Sequence, residues 1–325
     1  FLNLLVSRPD LARAMGTRAR AWVERECTWE HVARRYAEFL ECVVEGRAVP
    51  TEPRASASAP ATSAAPQTIL DWVPPNSEMR AYVDTHLSRL IRTLEIIPPG
   101  GPADRILEMG AYLQITPSLG PRLGYGEVRG CYYGPAGTVD HRWVVSTTGE
   151  RFECDLDLFD AEKDVFPYPD GHFATVLCCE LIEHLSADPM HLLSEVNRIL
   201  REGGHLVLTT PNIASLRAIS AILQGYHPGL FPQYIKPAGE TGEAAPRHNR
   251  EYAPREVHQL LADAGFEVVR LETGPFREQP RPELAWVRRL LERHWLAADL
   301  RDEGIYAVGR KSGPVRSRYP EWLYA

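Results

Sequence analysis

The stretch FATVLCCELIEHLSADPMHLLSEVNRILREGGHLVLTTPN, residues 173–212, changes its hydrophobic period twice. Residues 173–179, apolar except for Thr175, make a run of strand length, as expected for a strand buried on both faces. Residues 189–200 carry apolar side chains at helical spacing, and Gly203 and Gly204 then turn the chain into a second strand near 205–209. A strand, a crossover helix and a second strand in this order predict a right-handed βαβ unit, and so a mostly parallel sheet in an α/β fold.

The same alternation continues on both sides. Upstream, strands are expected near 105–108, 127–132 and 151–158. Before them, Asn76 or Ser77 can cap a helix running toward residue 97, with Met79, Val83, Leu87, Leu90, Ile91 and Leu94 on one face, and Pro98-Pro99-Gly100-Gly101 ends it. Downstream, a helix is expected over 254–265, followed by the strands FEVVRLET (266–273) and GIYAVGRK (304–311). Residues 215–252 break the βα order and read as an insertion over one edge of the sheet. At the other end of the chain, residues 9–44 carry two stretches of helical periodicity separated near Cys27, with Thr28 as an N-cap. The tract 47–67, RAVPTEPRASASAPATSAAPQ, has no apolar period and reads as a linker. The expected organisation is therefore a helical segment 1–46, a linker 47–67 and an α/β domain 68–325.

The 325 residues are 44% hydrophobic and 24% charged, as in soluble globular proteins, and no apolar run is long enough to span a bilayer. A net charge of −7 excludes a general nucleic-acid binder, which needs an excess of cations against phosphate. The six cysteines, Cys27, Cys42, Cys131, Cys154, Cys178 and Cys179, make no C-x-x-C pair. They read as small buried hydrophobes of a reducing, cytoplasmic protein. No signal peptide can be read at Phe1, and the chain is expected to continue upstream of it.

In an open parallel sheet, ligands bind beyond the carboxyl ends of the strands. Candidate site residues should therefore follow strands directly, as Glu108 and Gly110 do in ILEMGAY (106–112), and as Glu180, Glu183 and His184 do in ELIEHL (180–185). With an ordinary pKa near neutrality, His184 can take a proton from a hydroxyl, with Glu183 orienting it. Its alternative roles are to cap the next helix or to pack against a cofactor. A metal is not expected, because no H-x-x-H or H-E-x-x-H spacing accompanies this group. In the insertion, Tyr226, His227, Tyr234, His248, Arg250 and Tyr252 are candidate acceptor contacts. Arg250 can instead pair with Glu251 to pin the loop, and Tyr252 and Pro254 also mark a helix start.

Residues 67–311 resemble the class I S-adenosylmethionine-dependent methyltransferases. The resemblance rests on ILEMGAY, on LFDAEKDVFPYPDGHFATVLCCELIEHL (158–185), on LREGGHLVLTTPN (200–212) and on Tyr252 through ADAGFEVV. It implies a Rossmann-like doubly wound sheet of seven strands with an antiparallel C-terminal hairpin, and S-adenosylmethionine as cofactor. It also implies that Glu108 binds the cofactor's ammonium and that Gly110 and Ala111 let the backbone approach. Tyr132 stands where the family has a ribose-binding acid, and a phenol cannot offer a carboxylate's two acceptors. Asp160 would face the adenine amino group beside Ala161, with Asp155 and Asp157 as rivals, and Glu180 would border the same pocket. The family's second loop glycine is absent, since Ala111, Tyr112 and Leu113 follow Gly110.

Residues 8–40 resemble the C-terminal tail of family 4 glycosyltransferases, through Met15, Gly16, Ala19, Arg20, Trp29, Val32, Ala33 and Tyr36. That likeness implies an upstream glycosyltransferase domain and a sugar or glycan hydroxyl, or another small molecule, as methyl acceptor. Two rival readings are a non-catalytic methyltransferase-like module that serves the glycosyltransferase, and a dinucleotide-dependent dehydrogenase. The latter lacks G-x-G-x-x-G after the first strand.

Overall fold

The structure is a computed structural model that describes residues 66–73, 78–237, 244–276 and 281–325, and the isolated helical positions Arg13, Gly16, Arg20, Ala37 and Val44. The helical tail, most of the linker, Cys27 and Cys42, and the caps Asn76 and Ser77 lie outside the described residues. The chain divides into two units, Phe1–Pro60 and Ala61–Ala325. The second unit carries the α/β fold.

Its elements run in the order α1 (Gln67–Leu70), α2 (Glu78–Ile96), β1 (Arg105–Met109), α3 (Thr116–Leu123), β2 (Glu127–Tyr132), β3 (Thr138–Val145), β4 (Arg151–Leu158) and β5 (Phe173–Cys179). They continue with α4 (Pro189–Ile199), β6 (Leu200–Pro211), α5 (Leu216–Leu223), the short β7 (Tyr234–Ile235) and β8 (Ala245–Pro246), α6 (Pro254–Asp263), β9 (Phe266–Gly274), α7 (Ala285–Arg293) and β10 (Gly304–Lys311). The main sheet has the order β3-β4-β2-β1-β5-β6-β10-β9. β4, β2, β1, β5 and β6 are mutually parallel, and β10 runs antiparallel to both β6 and β9. This is the Rossmann-like methyltransferase fold that the resemblance implies, with its antiparallel strands at the C-terminal edge.

The sheet has eight strands rather than the seven expected. The additional strand, β3, pairs antiparallel with β4 along Thr138–Val145 and forms one edge of the sheet, in a stretch between β2 and β4 where the sequence reading names no element. It escapes sequence reading because Val139, Trp143 and Val145 lie on its exposed face while the half-buried face carries Asp140 and Arg142 beside Val144, so no hydrophobic alternation marks the buried side. The closing strands also differ from a tight hairpin, since residues 275–303, with α7 among them, intervene before β10 enters between β6 and β9.

Two cores sandwich the sheet, and the period of two along each strand decides which residue joins which. Leu107, Val176, Cys178, Leu206 and Leu208 face α4 and α6, whereas Ile106, Leu177 and Val207 face α2 and α3. Central strands buried on both faces read as continuous apolar runs, which is why β1 and β5 were legible. The helix α2 lays Val83, Leu87, Leu90 and Leu94 on the second core and so stands over the carboxyl ends of β1 and β5. The free cysteines Cys131, Cys154 and Cys178 are buried among these strands. No helix among the described residues is long and apolar enough to cross a membrane.

Gly126 sets the start of β2. Its amide donates to the Asp104 carbonyl at 3.1 Å, and a Cβ there would stand 1.8 Å from the Pro102 carbonyl oxygen. Backbone cannot yield as a side chain can, so Gly126→Ala should destabilise by about 2–3 kcal/mol in urea unfolding. Gly101→Ala, whose Cβ would meet only the Asp104 carboxylate at 3.6 Å, should stay within about 0.5 kcal/mol.

Candidate functional site

The ends of β1, β2, β4, β5 and β6 open into one cavity of about 860 Å³. Glu108 and Gly110, Cys131 and Tyr132, Asp160, Glu180 and Thr209 line it in that strand order, and Tyr82, Arg89 and Thr93 of α2 close the opposite wall.

The polar contact that joins these two walls is an ion pair. Arg89 Nη1 lies 2.9 Å from Glu180 Oε2, with side-chain exposures of 5% and 16%, so the pair is shielded from solvent. Arg89 Nη2 donates to the Tyr82 hydroxyl at 2.5 Å, and the guanidinium also lies over the Phe276 ring at 5.1 Å. Burial works most strongly against the arginine's charge, but the Glu180 carboxylate and the Tyr82 hydroxyl together outweigh it and hold the group protonated. Glu180 has a left-handed backbone, φ +52°, which a side-chain-bearing residue adopts only under constraint. Its amide donates to the Thr209 carbonyl at 2.8 Å and its Oε1 accepts from the Thr209 hydroxyl at 2.9 Å, so backbone and side chain are both held.

On the β1 side, Glu108 is buried and one of its carboxylate oxygens has no hydrogen-bond partner. Burial pushes its pKa up to about 7. Gly110 follows with φ +65° and nothing within 4 Å of where a Cβ would stand, so the backbone is open toward the cavity. Ala111 does not line the cavity as expected. Its amide is tied back to the Cys131 carbonyl at 3.3 Å and its side chain packs with Leu113, Cys154 and Leu156. Tyr132 does face the cavity, and its hydroxyl lies 2.7 Å from that of Tyr112. This phenol pair leaves single hydrogen-bonding groups where a carboxylate would offer two acceptors.

The choice among the three aspartates is decided by ion pairing across β2 and β4. Arg129 grips Asp157 through two bonds of 2.7 Å and Asp155 through one of 3.0 Å, while Tyr168 donates to Asp157 and His141 bonds Asp155. Asp160 and Ala161 are left at the cavity wall, with Asp160 accepting from the Glu162 amide at 3.0 Å.

ELIEHL forms a 3₁₀ turn, Ile182–His184, at the end of β5. Glu183 does not orient His184 as expected: its Oε1 is 4.0 Å from Nε2, beyond hydrogen-bond reach, and its Oε2 accepts from the Thr210 hydroxyl at 3.0 Å. Burial, reinforced by the charge of Glu180, pushes its pKa well up and favours the neutral acid. The Arg247 carbonyl orients the imidazole instead, accepting from Nδ1 at 2.8 Å and leaving Nε2 with its lone pair. Burial, and then the neighbouring His248, lower the His184 pKa.

The insertion is fastened to this turn. Asn249 and Arg250 donate their amides to the Glu183 carbonyl at 2.8 and 3.2 Å, and the Asn249 side chain donates to the His184 carbonyl at 2.7 Å. His248 stands edge-on to His184 with ring centres 4.9 Å apart. The other insertion candidates are not gathered at the site. Tyr226 and Tyr234 are exposed, and His227 accepts from the amide of Gly229 within its own loop. Arg250 pairs with Glu256 at 2.8 Å rather than with Glu251, because Glu251 already accepts from His248 and from the Leu230 amide. Tyr252 is fully buried in the core beneath α6, so it packs and contacts no ligand.

Sequence reading missed Arg89, Tyr82 and Thr93. The available signal was spacing: Tyr82, His86, Arg89 and Thr93 recur at intervals of four, three and four on α2, a polar stripe beside its apolar face. The pairing of Tyr112 with Tyr132, and that of His248 with His184, had no such signal, because the partners are distant along the chain.

A family model described as a methyltransferase domain matches residues 79–271. A Mycolicibacterium smegmatis protein named as a probable S-adenosylmethionine-dependent methyltransferase is 30% identical over 113 residues, 35% of this chain and 36% of that one. The match thus spans about a third of that relative's length. Among solved structures, an S-adenosylmethionine-dependent methyltransferase from Archaeoglobus fulgidus is similar at 16% identity, covering 72% of this chain and all of that one, with a TM-score of 0.45. The geranyl diphosphate C-methyltransferase of Streptomyces coelicolor, solved with S-adenosyl-L-homocysteine bound, is similar at 12% identity over 74% of this chain and 88% of that one, with a TM-score of 0.42.

Two outcomes follow from the buried charges. Because the Glu108 pKa is higher in the folded than in the unfolded chain, the native state holds the proton more tightly. Stability is therefore greatest below the ordinary value of 4.5 and falls as the pH rises to about 7. In the cofactor-free protein, Glu108→Gln should remove this slope, becoming more stable than the wild type by on the order of 3 kcal/mol in urea unfolding at pH 8, with little difference at pH 4.5. Arg89→Met leaves Glu180 charged and buried, and should cost about 3–5 kcal/mol. The double variant Arg89→Met/Glu180→Gln should recover much of that loss in the same measurement.

Proposed function

The chain belongs to the methyltransferase-domain family, with S-adenosylmethionine as its cofactor, and on that premise we propose that it methylates a hydroxyl of a sugar or glycan seated beside His184. The observation that carries the oxygen acceptor is the imidazole of His184. The ring borders the cavity, its Nδ1 is committed to the Arg247 carbonyl, and its lowered pKa leaves Nε2 with the lone pair that can take a hydroxyl proton.

The residues present fit the cofactor. The unpartnered carboxylate oxygen of Glu108 suits an ammonium group, and the open backbone at Gly110 suits close approach of the methionine portion. Tyr132 and Tyr112 can each give one hydrogen bond to the ribose, and Asp160 can accept from the adenine amino group. When bound, S-adenosylmethionine would supply a methyl carbon on a sulfonium, open to in-line attack by an aligned nucleophile with the neutral thioether of S-adenosylhomocysteine as leaving group. His184 removes the hydroxyl proton as the acceptor oxygen attacks, and Arg89 with Glu180 holds the wall between the two ligands.

The sugar class is supported by residues 8–40, whose sequence resembles a glycosyltransferase tail, since fused activities commonly serve one route. An upstream glycosyltransferase domain and a cytoplasmic setting belong to the same reading. The second reading, a binding module without catalysis, is favoured by Tyr132 at the position of the ribose-binding acid.

Calorimetric titration of the chain with S-adenosylmethionine and S-adenosylhomocysteine separates the two readings at the first step. Micromolar binding, about −8 kcal/mol, weakened at least tenfold in Glu108→Ala, is expected. Methyl transfer from labelled cofactor to a panel of sugars and glycans should then fall by about 10²–10⁴-fold in His184→Ala, with cofactor binding unchanged. Binding without transfer to any acceptor on the panel would favour the module.

A further inference from the structure

Folding brings together three side chains of metal-ligating type that the sequence keeps far apart. We propose that Glu183, His184 and His248 form a site for one divalent transition-metal cation at the acceptor end of the cavity. One donor atom from each residue lies within 4.8 Å of the other two, and Glu183 Oε1 stands 4.0 Å from His184 Nε2. Bonds of about 2.0–2.2 Å from a cation to imidazole nitrogen or carboxylate oxygen, at a near-tetrahedral angle, place two donors roughly 3.4 Å apart. The three donors draw in to that separation when the cluster closes on an ion.

Three independent features prepare these donors. Glu183 is fully buried and its Oε1 has no hydrogen-bond partner, so an acceptor atom is held at the cluster with nothing to accept from. His184 donates Nδ1–H to the Arg247 carbonyl, which fixes the tautomer that presents Nε2 as a lone pair. His248 has its Nδ1 at 2.9 Å from the carboxylate of Glu251, which is itself held by the amides of Leu230 and Phe231. A carboxylate or carbonyl on one ring nitrogen, leaving the other for the ion, is the arrangement that supports metal-bound histidines. Glu180 is not a fourth ligand, since Arg89 and Thr209 already occupy its oxygens.

Two imidazoles with one carboxylate favour zinc, manganese or iron over the hard, all-oxygen preference of magnesium and calcium. Three protein ligands leave coordination positions open, and His184, the one of the three that lines the cavity, is the side from which a ligand there can reach the ion. Resting on the acceptor reading above, the open positions would receive the acceptor's oxygen. In that loaded state His184 Nε2 is a ligand, and the hydroxyl proton passes to solvent from an oxygen acidified by the cation rather than to the imidazole.

The test is cation uptake by the full chain after chelator stripping, measured by calorimetry with Zn²⁺ and with Mn²⁺. Uptake of one equivalent is expected, weakened by at least about tenfold in Glu183→Gln and in His248→Ala, the loss that even a supporting outer residue can cause. Pulsed electron paramagnetic resonance of the Mn²⁺-loaded wild type should show nitrogen couplings from imidazole, a readout that needs no variant to fold. S-adenosylhomocysteine titration of the same samples keeps this outcome separate from the cofactor reading. Normal binding of that ligand with no saturable cation uptake, uptake equal in Glu183→Gln, or Mn²⁺ bound without nitrogen coupling would each overturn the site.

Discussion

The cavity depends on the ion pair between Arg89 and Glu180. A guanidinium carried by α2 meets a carboxylate at the end of β5, both largely shielded from solvent, and their meeting ties to the cavity rim a helix that Val83, Leu87, Leu90 and Leu94 pack on the sheet. A buried pair of this kind is not a cheap source of stability, because two charges must first be taken out of water. Its value here is positional. Glu180 is held in a left-handed conformation by its bonds to Thr209 and Arg89, and the turn that follows carries Glu183 and His184 in the orientation this kink dictates.

The same constraint orders the electrostatics. Glu108, Glu180 and Glu183 stand at the carboxyl edge of adjacent strands, yet only Glu180 has a full countercharge within the protein. Glu108 and Glu183 are buried without one, and burial drives both toward the neutral acid. Each also keeps an oxygen without a partner. Glu108 lines the cavity and Glu183 lies buried in the turn behind His184, and two carboxyl groups each left with an unpaired oxygen are hard to explain as packing, since burying such groups unpaired costs stability. They are readily explained as halves of contacts that ligands complete, an ammonium at Glu108 and a cation at Glu183.

The architecture was legible to the extent that burial imposed a period. β1 and β5, covered on both faces, appear as apolar runs, and α4 and α6 as amphipathic helices. β3 was illegible because its half-buried face mixes Asp140 and Arg142 with Val144 while its exposed face carries Val139, Trp143 and Val145, so burial imposes no hydrophobic pattern on it. At the site, Glu108, Gly110, Glu180 and His184 were legible because they lie at the end of a buried strand or in the turn just after it, and that position is a property of sequence order. Ala111 was misplaced for a local reason: its amide is captured by Cys131, which turns its methyl group into the core. Tyr252 was misplaced because its fully buried ring fills the core under α6, a packing role that residue type alone does not distinguish from a ligand contact.

What the sequence by itself determined is the order of strands and helices, the edge at which chemistry must occur, and the family to which these motifs belong, because each is written in short-range periodicity and spacing. What only the tertiary structure decided is partnership. Asp160 rather than Asp155 or Asp157 faces the cavity because Arg129 claims the other two across β2 and β4. His248 reaches His184 because the insertion folds back and hydrogen-bonds to the carbonyl of Glu183. Such pairings join residues tens of positions apart, where no local period connects them, so they exist only once the sheet has closed and brought its loops to one edge.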